Sequence, residues 1–154
     1  MNLLAILLIV LTPGAELSAG KADYRAGEFA RAAAHFQRAA AANPQNAEAN
    51  YWLGLSYETL ADIATPFGRK FRTLARTHLS AAVSAAPTQP EYRRELFEFL
   101  LDSGDLRRAR AVLEPAESDA DYVFMISQLE ERGRLNASAR GRLTRLLALP
   151  TSWR

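Results

Sequence analysis

The sequence predicts an all-α domain, a helix-turn-helix repeat solenoid of about three to four antiparallel helix pairs, and three observations predict it. Hydrophobic residues make up 49% of the 154-residue chain, and much of that share is alanine. Alanine is the strongest helix former and small enough to let helix axes approach closely. No stretch carries the sustained alternation of β-branched residues that a strand requires. A short cadence then recurs: Gly, any residue, a large apolar residue, and a small residue one helical turn later. It occurs as Gly27-Glu28-Phe29 with Ala32, as Gly104-Asp105-Leu106 with Ala109, and as Gly133-Arg134-Leu135 with Ser138.

The chain begins with an apolar run, Leu3 to Leu11, followed by Thr12-Pro13-Gly14. Such a run fits the central region of a secretory signal and falls short of the roughly 20 residues that span a bilayer. Residues 1–14 therefore read as a signal-like or anchoring segment, and residues 15–154 as the repeat domain. A cut before Ala15 leaves the first helix whole, whereas a cut before Lys21 removes its start. The alternative is an uncleaved apolar segment that anchors the protein. The expected location is periplasmic or otherwise exported, with membrane contact through this N-terminal segment as the other reading.

Four helix pairs follow, over about 15–43, 47–86, 90–114 and 119–149. Glycine ends the first helix of a pair where positive φ is needed, and small residues fall where the two helices cross. In two copies the second helix repeats the same spacing: Ala32, Phe36, Ala39, Pro44, and Ala75, Leu79, Ala82, Pro87. Proline comes after the helix because it cannot continue one. Asn46 can cap the second pair, Thr88 with Glu91 forms a capping box, and Ser118 with Asp121 resembles one. Pro115 truncates the third pair, and the fourth, with Gly141 inside a helix, is expected to serve as a cap with a more polar outer face.

These residues resemble the tetratricopeptide repeat, a helix pair of about 34 residues with a W-x2-L-G-x2-Y…A-x3-F…P signature. Leu53, Gly54 and Tyr57 stand in register, and Trp52 is displaced by two positions. Gly27 to Gly104 spans 77 residues and Pro44 to Pro87 spans 43, each nine more than a whole number of repeats. The extra nine lie between Tyr57 and Ala75, as an insertion near 61–68. Thr65-Pro66 reads there as an N-cap with a first-turn proline. Two helices longer by about a turn are expected, with Leu60, Ile63, Phe67 and Phe71 at the tip. These four either pack on one another to close the hairpin or dock a partner.

The resemblance implies a right-handed superhelix with a concave groove lined by the first helix of each pair. Its groove positions fall on Lys21, Tyr24 and Arg25, on Tyr51, Leu55 and Glu58, on Arg94, Glu98, Leu101 and Asp102, and on Ser127, Glu130 and Glu131. A protein or peptide partner, extended or helical, suits such a lining. What the resemblance implies is an interaction adaptor or scaffold in an envelope assembly, with a membrane-anchored structural subunit as the alternative.

Other function classes find little support in the residues. The net charge is only +2, and the arginines alternate with glutamates along helical stretches, so nucleic acid is not the expected partner. The basic run from Arg132 to Arg145 is the one stripe that would serve a helical-repeat RNA binder. Absence of cysteine removes disulfides, thiol catalysis and thiolate zinc sites. There is no H-E-x-x-H, G-x-S-x-G, P-loop or G-x-G-x-x-G. His35 and His78 stand at equivalent repeat positions without metal-ligand spacing, and a structural role is expected of both. The pairs Glu130-Glu131 and Asp119/Asp121 suit helix ends. Neither an enzymatic activity, a cofactor, a metal nor a small-molecule substrate is expected.

Overall fold

The computed structural model describes residues 13–64, 66–113 and 120–131. They form helices α1 (Pro13–Arg25), α2 (Phe29–Ala42), α3 (Ala47–Ile63), α4 (Gly68–Ala85), α5 (Pro90–Asp102), α6 (Leu106–Leu113) and α7 (Ala120–Glu131), with no strand among the described residues. The first three expected pairs are α1–α2, α3–α4 and α5–α6. Of the fourth, α7 is described; its second helix, the Gly133 cadence, Gly141 and the Arg132–Arg145 run lie outside the described residues. So do Leu3–Leu11, Thr65, Pro115, Ser118 and Asp119. The chain divides into two compact units, Met1–Ala85 and Ala86–Arg154.

In the first unit α1 packs on α2, α2 on α3, and α3 on α4. Gly27 turns the chain between α1 and α2 at φ +79°, a conformation that a Cβ would strain. The spaced residues of the second helices form the core: Ala32, Phe36, Ala39, Ala75, Leu79 and Ala82 are all fully buried. Each large member of that series rests on a glycine of the preceding helix. A Cβ on Gly20 would come within 2.6 Å of the Phe36 ring, and one on Gly54 within 2.7 Å of Leu79. Gly20 and Gly54 are 34 residues apart, so the same close crossing is built twice at the repeat spacing. A cut before Lys21 would remove Gly20 and most of α1 with it.

Between α2 and α3, the Asn46 side chain accepts from the Ala49 backbone N–H at 3.0 Å, the N-cap that the sequence predicts. α3 and α4 have 17 and 18 residues against 13 and 14 for α1 and α2. At about 1.5 Å per residue the second pair is longer by about a turn. Tyr24 in the last turn of α1 reaches Thr59 at 3.4 Å, and α3 continues past that level to Ile63. α4 itself begins at Gly68, two residues after Pro66, which stands in the turn and not in the helix.

In the second unit α5 packs on α6, and both touch α7. Gly104 makes the α5–α6 turn at φ +76°. Asp105 caps α6 by accepting from the Arg108 N–H at 3.2 Å, and its ion pair with the Arg108 side chain holds its carboxyl below the usual range. The interior comprises Leu96, Phe97, Phe99, Leu100, Leu101, Ala109, Met125 and Ile126. Phe97 stands 77 residues after Gly20, so this pair replaces the close glycine crossing with a buried ring. One expected cap is corrected here. α5 starts at Pro90, so the N-cap falls on Gln89, whose side chain makes no capping bond, and Thr88 lies one residue too early.

Candidate interaction surface

Six of the proposed groove residues lie on α1 and α3, and the fold uses two of them to join these helices. Lys21 forms an ion pair with Glu48 and lies 5.7 Å from the centre of the Trp52 ring. Tyr24 meets Trp52 edge-on at 5.4 Å and Phe29 at 5.1 Å. Trp52 also stacks on Phe36 at 5.9 Å and meets Tyr51 edge-on at 5.7 Å. It therefore ties α1, α2 and α3 together, a role hidden in the sequence because Trp52 is out of register with the repeat signature. Arg25 is exposed, while Tyr51, Leu55 and Glu58 are half-buried. Their spacing of four and three residues puts the last three on one stripe of α3.

In the second unit the Arg94 guanidinium lies 5.4 Å from the Phe124 ring centre, a cation–π contact that binds α5 to α7. Glu98 is half-buried and Asp102 exposed. Leu101 departs from the expected lining: it is 1% exposed, because α5 turns it inward with Phe97 and Leu100. Ser127 donates to the Phe124 carbonyl at 2.7 Å within its own helix. Glu130 and Glu131 belong to α7, but their side chains lie outside the described residues.

The titratable groups of the first unit form two local clusters. Glu16, 4% exposed, accepts from Arg38 Nε at 2.9 Å and from His35 Nδ1 at 2.6 Å. The Arg38 guanidinium first, and His35 second, hold its carboxyl below the usual carboxylate value. Arg38 Nη2 also approaches His35 Nδ1 at 2.8 Å, but one ring nitrogen cannot donate and accept together. The carboxylate claims it, since a charge-assisted bond is the stronger. On the other side His35 Nε2 stands 3.5 Å from Asp23 Oδ2, and Asp23 Oδ1 accepts from Arg31 at 2.9 Å. This carboxylate–imidazole–carboxylate row ties α1 to α2.

His78 belongs to the other cluster. Buried Asn50 donates from Nδ2 to the carbonyls of Pro44 at 2.9 Å and Asn46 at 3.0 Å. Its Oδ1 is left to accept from His78 Nδ1 at 2.9 Å, which fixes the tautomer. Burial pushes the His78 pKa down. The two histidines, equivalent in the repeat, thus serve separate partner sets. No group of acidic and histidine side chains among the described residues has the geometry of a metal site.

The insertion tip behaves differently from its four-residue packing expectation. Phe71 stacks on Tyr57 at 5.9 Å, and Leu60 is half-buried. Ile63 and Phe67, however, are each 63% exposed. The turn is closed by its backbone, with Phe67 N–H on the Ala64 carbonyl at 2.8 Å, so it needs neither side chain.

A family model of the TPR repeat matches residues 20–60, from the middle of α1 to the end of α3. No curated protein matches the chain. Among solved structures, the chain is similar to the type III secretion translocator chaperone SycD of Yersinia enterocolitica in its alternative dimer. Identity is 16% and the TM-score 0.56, over 88% of this chain and 91% of that one. A second structure of SycD gives 17% and 0.54, over 86% and 81%. The human IFIT1 dimer with PPP-AAAA gives 16% and 0.61, over 88% of this chain but 38% of the larger one. At these identities the likeness is one of fold.

Proposed function

With a tetratricopeptide repeat over residues 20–60, the chain is a tetratricopeptide-repeat protein, and we propose that it works as an adaptor that holds a segment of another protein against α1 and α3. One observation carries this reading: Tyr51, Leu55 and Glu58 form a half-exposed stripe beside an aromatic cluster already locked by Trp52, Tyr24 and Phe36. Side chains immobilised before binding lose little entropy when a partner arrives, so a rigid stripe gains affinity from modest contact area. Repeat folds of this kind bind through extended surfaces of first helices and not through closed pockets. The likeness to SycD, a chaperone of similar length, supports a protein or peptide as the partner.

A photoreactive amino acid at Leu55 tests the assignment, with Gln37 on the exposed side of α2 as the control position. Covalent capture of a protein from Leu55 and not from Gln37, reduced by Tyr51→Ala, is the expected result. Equal capture from both positions overturns it. The same reading extends to an extracytoplasmic setting, an envelope assembly, supported by the apolar run Leu3–Leu11. N-terminal sequencing from a native host tests that part: a chain beginning at Ala15 is expected, and an intact Met1 favours the anchored alternative.

A further inference from the structure

The tip of the α3–α4 hairpin carries a feature that an adaptor built on α1 and α3 does not need. Ile63 and Phe67, both 63% exposed, stand on a turn that extends past the end of α1, with exposed Pro66 between them. Leaving the tip, α4 carries Arg69, Lys70, Arg72 and Arg76 and no acidic residue in its 18 positions. That helix alone holds four positive charges in a chain whose net charge is +2, so the remainder is net negative. Arg69, Lys70 and Arg72 are exposed. Only Arg72 meets a carboxylate among the described residues, the exposed Asp62 at 3.4 Å.

Their position is also unfavourable for the helix itself. The first turn of a helix carries partial positive charge, which disfavours cations there and favours anions. Arg69 and Lys70 therefore raise the energy of α4, and an anionic surface outside the molecule would relieve that.

We propose that this tip docks on an anionic lipid surface, with Ile63 and Phe67 entering the headgroup–acyl boundary and Arg69, Lys70 and Arg72 meeting lipid phosphates. Apolar side chains flanked by cations are the combination that such interfaces bind. A fluid bilayer surface accepts a convex tip without a complementary groove, which a folded protein partner would have to supply. Single-stranded nucleic acid binds along grooves with stacked aromatic platforms, and aliphatic Ile63 has no face to stack.

The chain lacks cysteine, so one introduced thiol reports on one place. Full-length protein with Ala64→Cys, or with Ala42→Cys at the far end of α2, is labelled with an environment-sensitive fluorophore. Each is mixed with vesicles of phosphatidylglycerol and phosphatidylcholine, or of phosphatidylcholine alone. A blue shift at position 64 on anionic vesicles only, and none at 42, is expected. Ile63→Ser with Phe67→Ser should abolish the shift, and replacing the three exposed cations by glutamine should weaken binding by at least about tenfold.

Sedimentation with vesicles without a shift at 64 overturns the proposal, since the apolar run Leu3–Leu11 would then be the contact. Retention of the shift by the Ile63/Phe67 double variant also overturns it. Tighter binding to single-stranded RNA or an acidic peptide than to vesicles, indifferent to Ile63 and Phe67, reassigns the tip to a simple anion contact. The Leu55 capture experiment is independent of all these outcomes.

Discussion

Gly54 faces Leu79 across the α3–α4 crossing with no room for a side chain. A Cβ there would lie 2.7 Å from both Leu79 Cδ2 and Cγ, and 3.1 Å from the Leu79 backbone nitrogen. The backbone contact means that a rotamer change of Leu79 cannot remove the whole overlap. Gly54→Ala is therefore expected to destabilise the fold by about 1–3 kcal/mol despite alanine's better helix propensity. In a Leu79→Ala background the same change should cost markedly less, because the two sites share one space. Chemical denaturation of the four variants measures this coupling, and equal costs in both backgrounds refute the close crossing.

Acidification should weaken the first unit in two steps. Burial lowers the pKa of His78 from its ordinary 6.5, so the unfolded chain takes up that proton before the folded one does. The stability tied to neutral His78 is complete above about 6.5 and is lost as pH falls below it. Glu16 is lowered from 4.5 by its hydrogen bonds from Arg38 and His35, so its contribution is lost in a second window below that value. His78→Gln should flatten the upper limb of a stability–pH curve, and Glu16→Gln the lower one. Melting temperatures across pH 3 to 8 (a range set by the roughly 4 and 6.5 of free Glu and His) check both.

Trp52 and Tyr51 are neighbours in sequence with opposite expected phenotypes. Trp52 touches Tyr24, Phe36 and Tyr51, and Trp52→Ala should destabilise by about 3–5 kcal/mol. Tyr51→Ala should leave the fold largely intact while reducing capture at Leu55. Circular dichroism melts beside the crosslinking assay separate the two, and a Tyr51 variant as unstable as the Trp52 variant contradicts the assignment.

Ile63→Ser with Phe67→Ser should change stability by no more than about 0.5 kcal/mol each, as exposed substitutions do. A large loss of stability would mean that both side chains are buried in solution.

Helix pairing was legible in local chemistry. Glycine at the two observed turns, alanines at the crossings and prolines after second helices act through φ, volume and a missing N–H, none of which depends on distant contacts. The cap at Asn46 was equally local. Thr88 was misplaced because several polar residues precede Pro90, and only the register of the helix decides which of them stands at its N-terminus. Gly20 could have been found from its 34-residue offset to Gly54, had the spacing been followed into α1.

The sequence by itself determined the helices, their order and the nine-residue lengthening of the second pair, because these follow from backbone preference and periodicity. Tertiary structure alone decided which side chains of those helices remain for a partner. Lys21 and Tyr24 were consumed by Glu48 and Trp52, Leu101 went to the interior, and Ile63 and Phe67 were left outside. The reason is that a residue's exposure is set by what the neighbouring helix brings opposite it, a relation between positions far apart in the chain that no local pattern encodes.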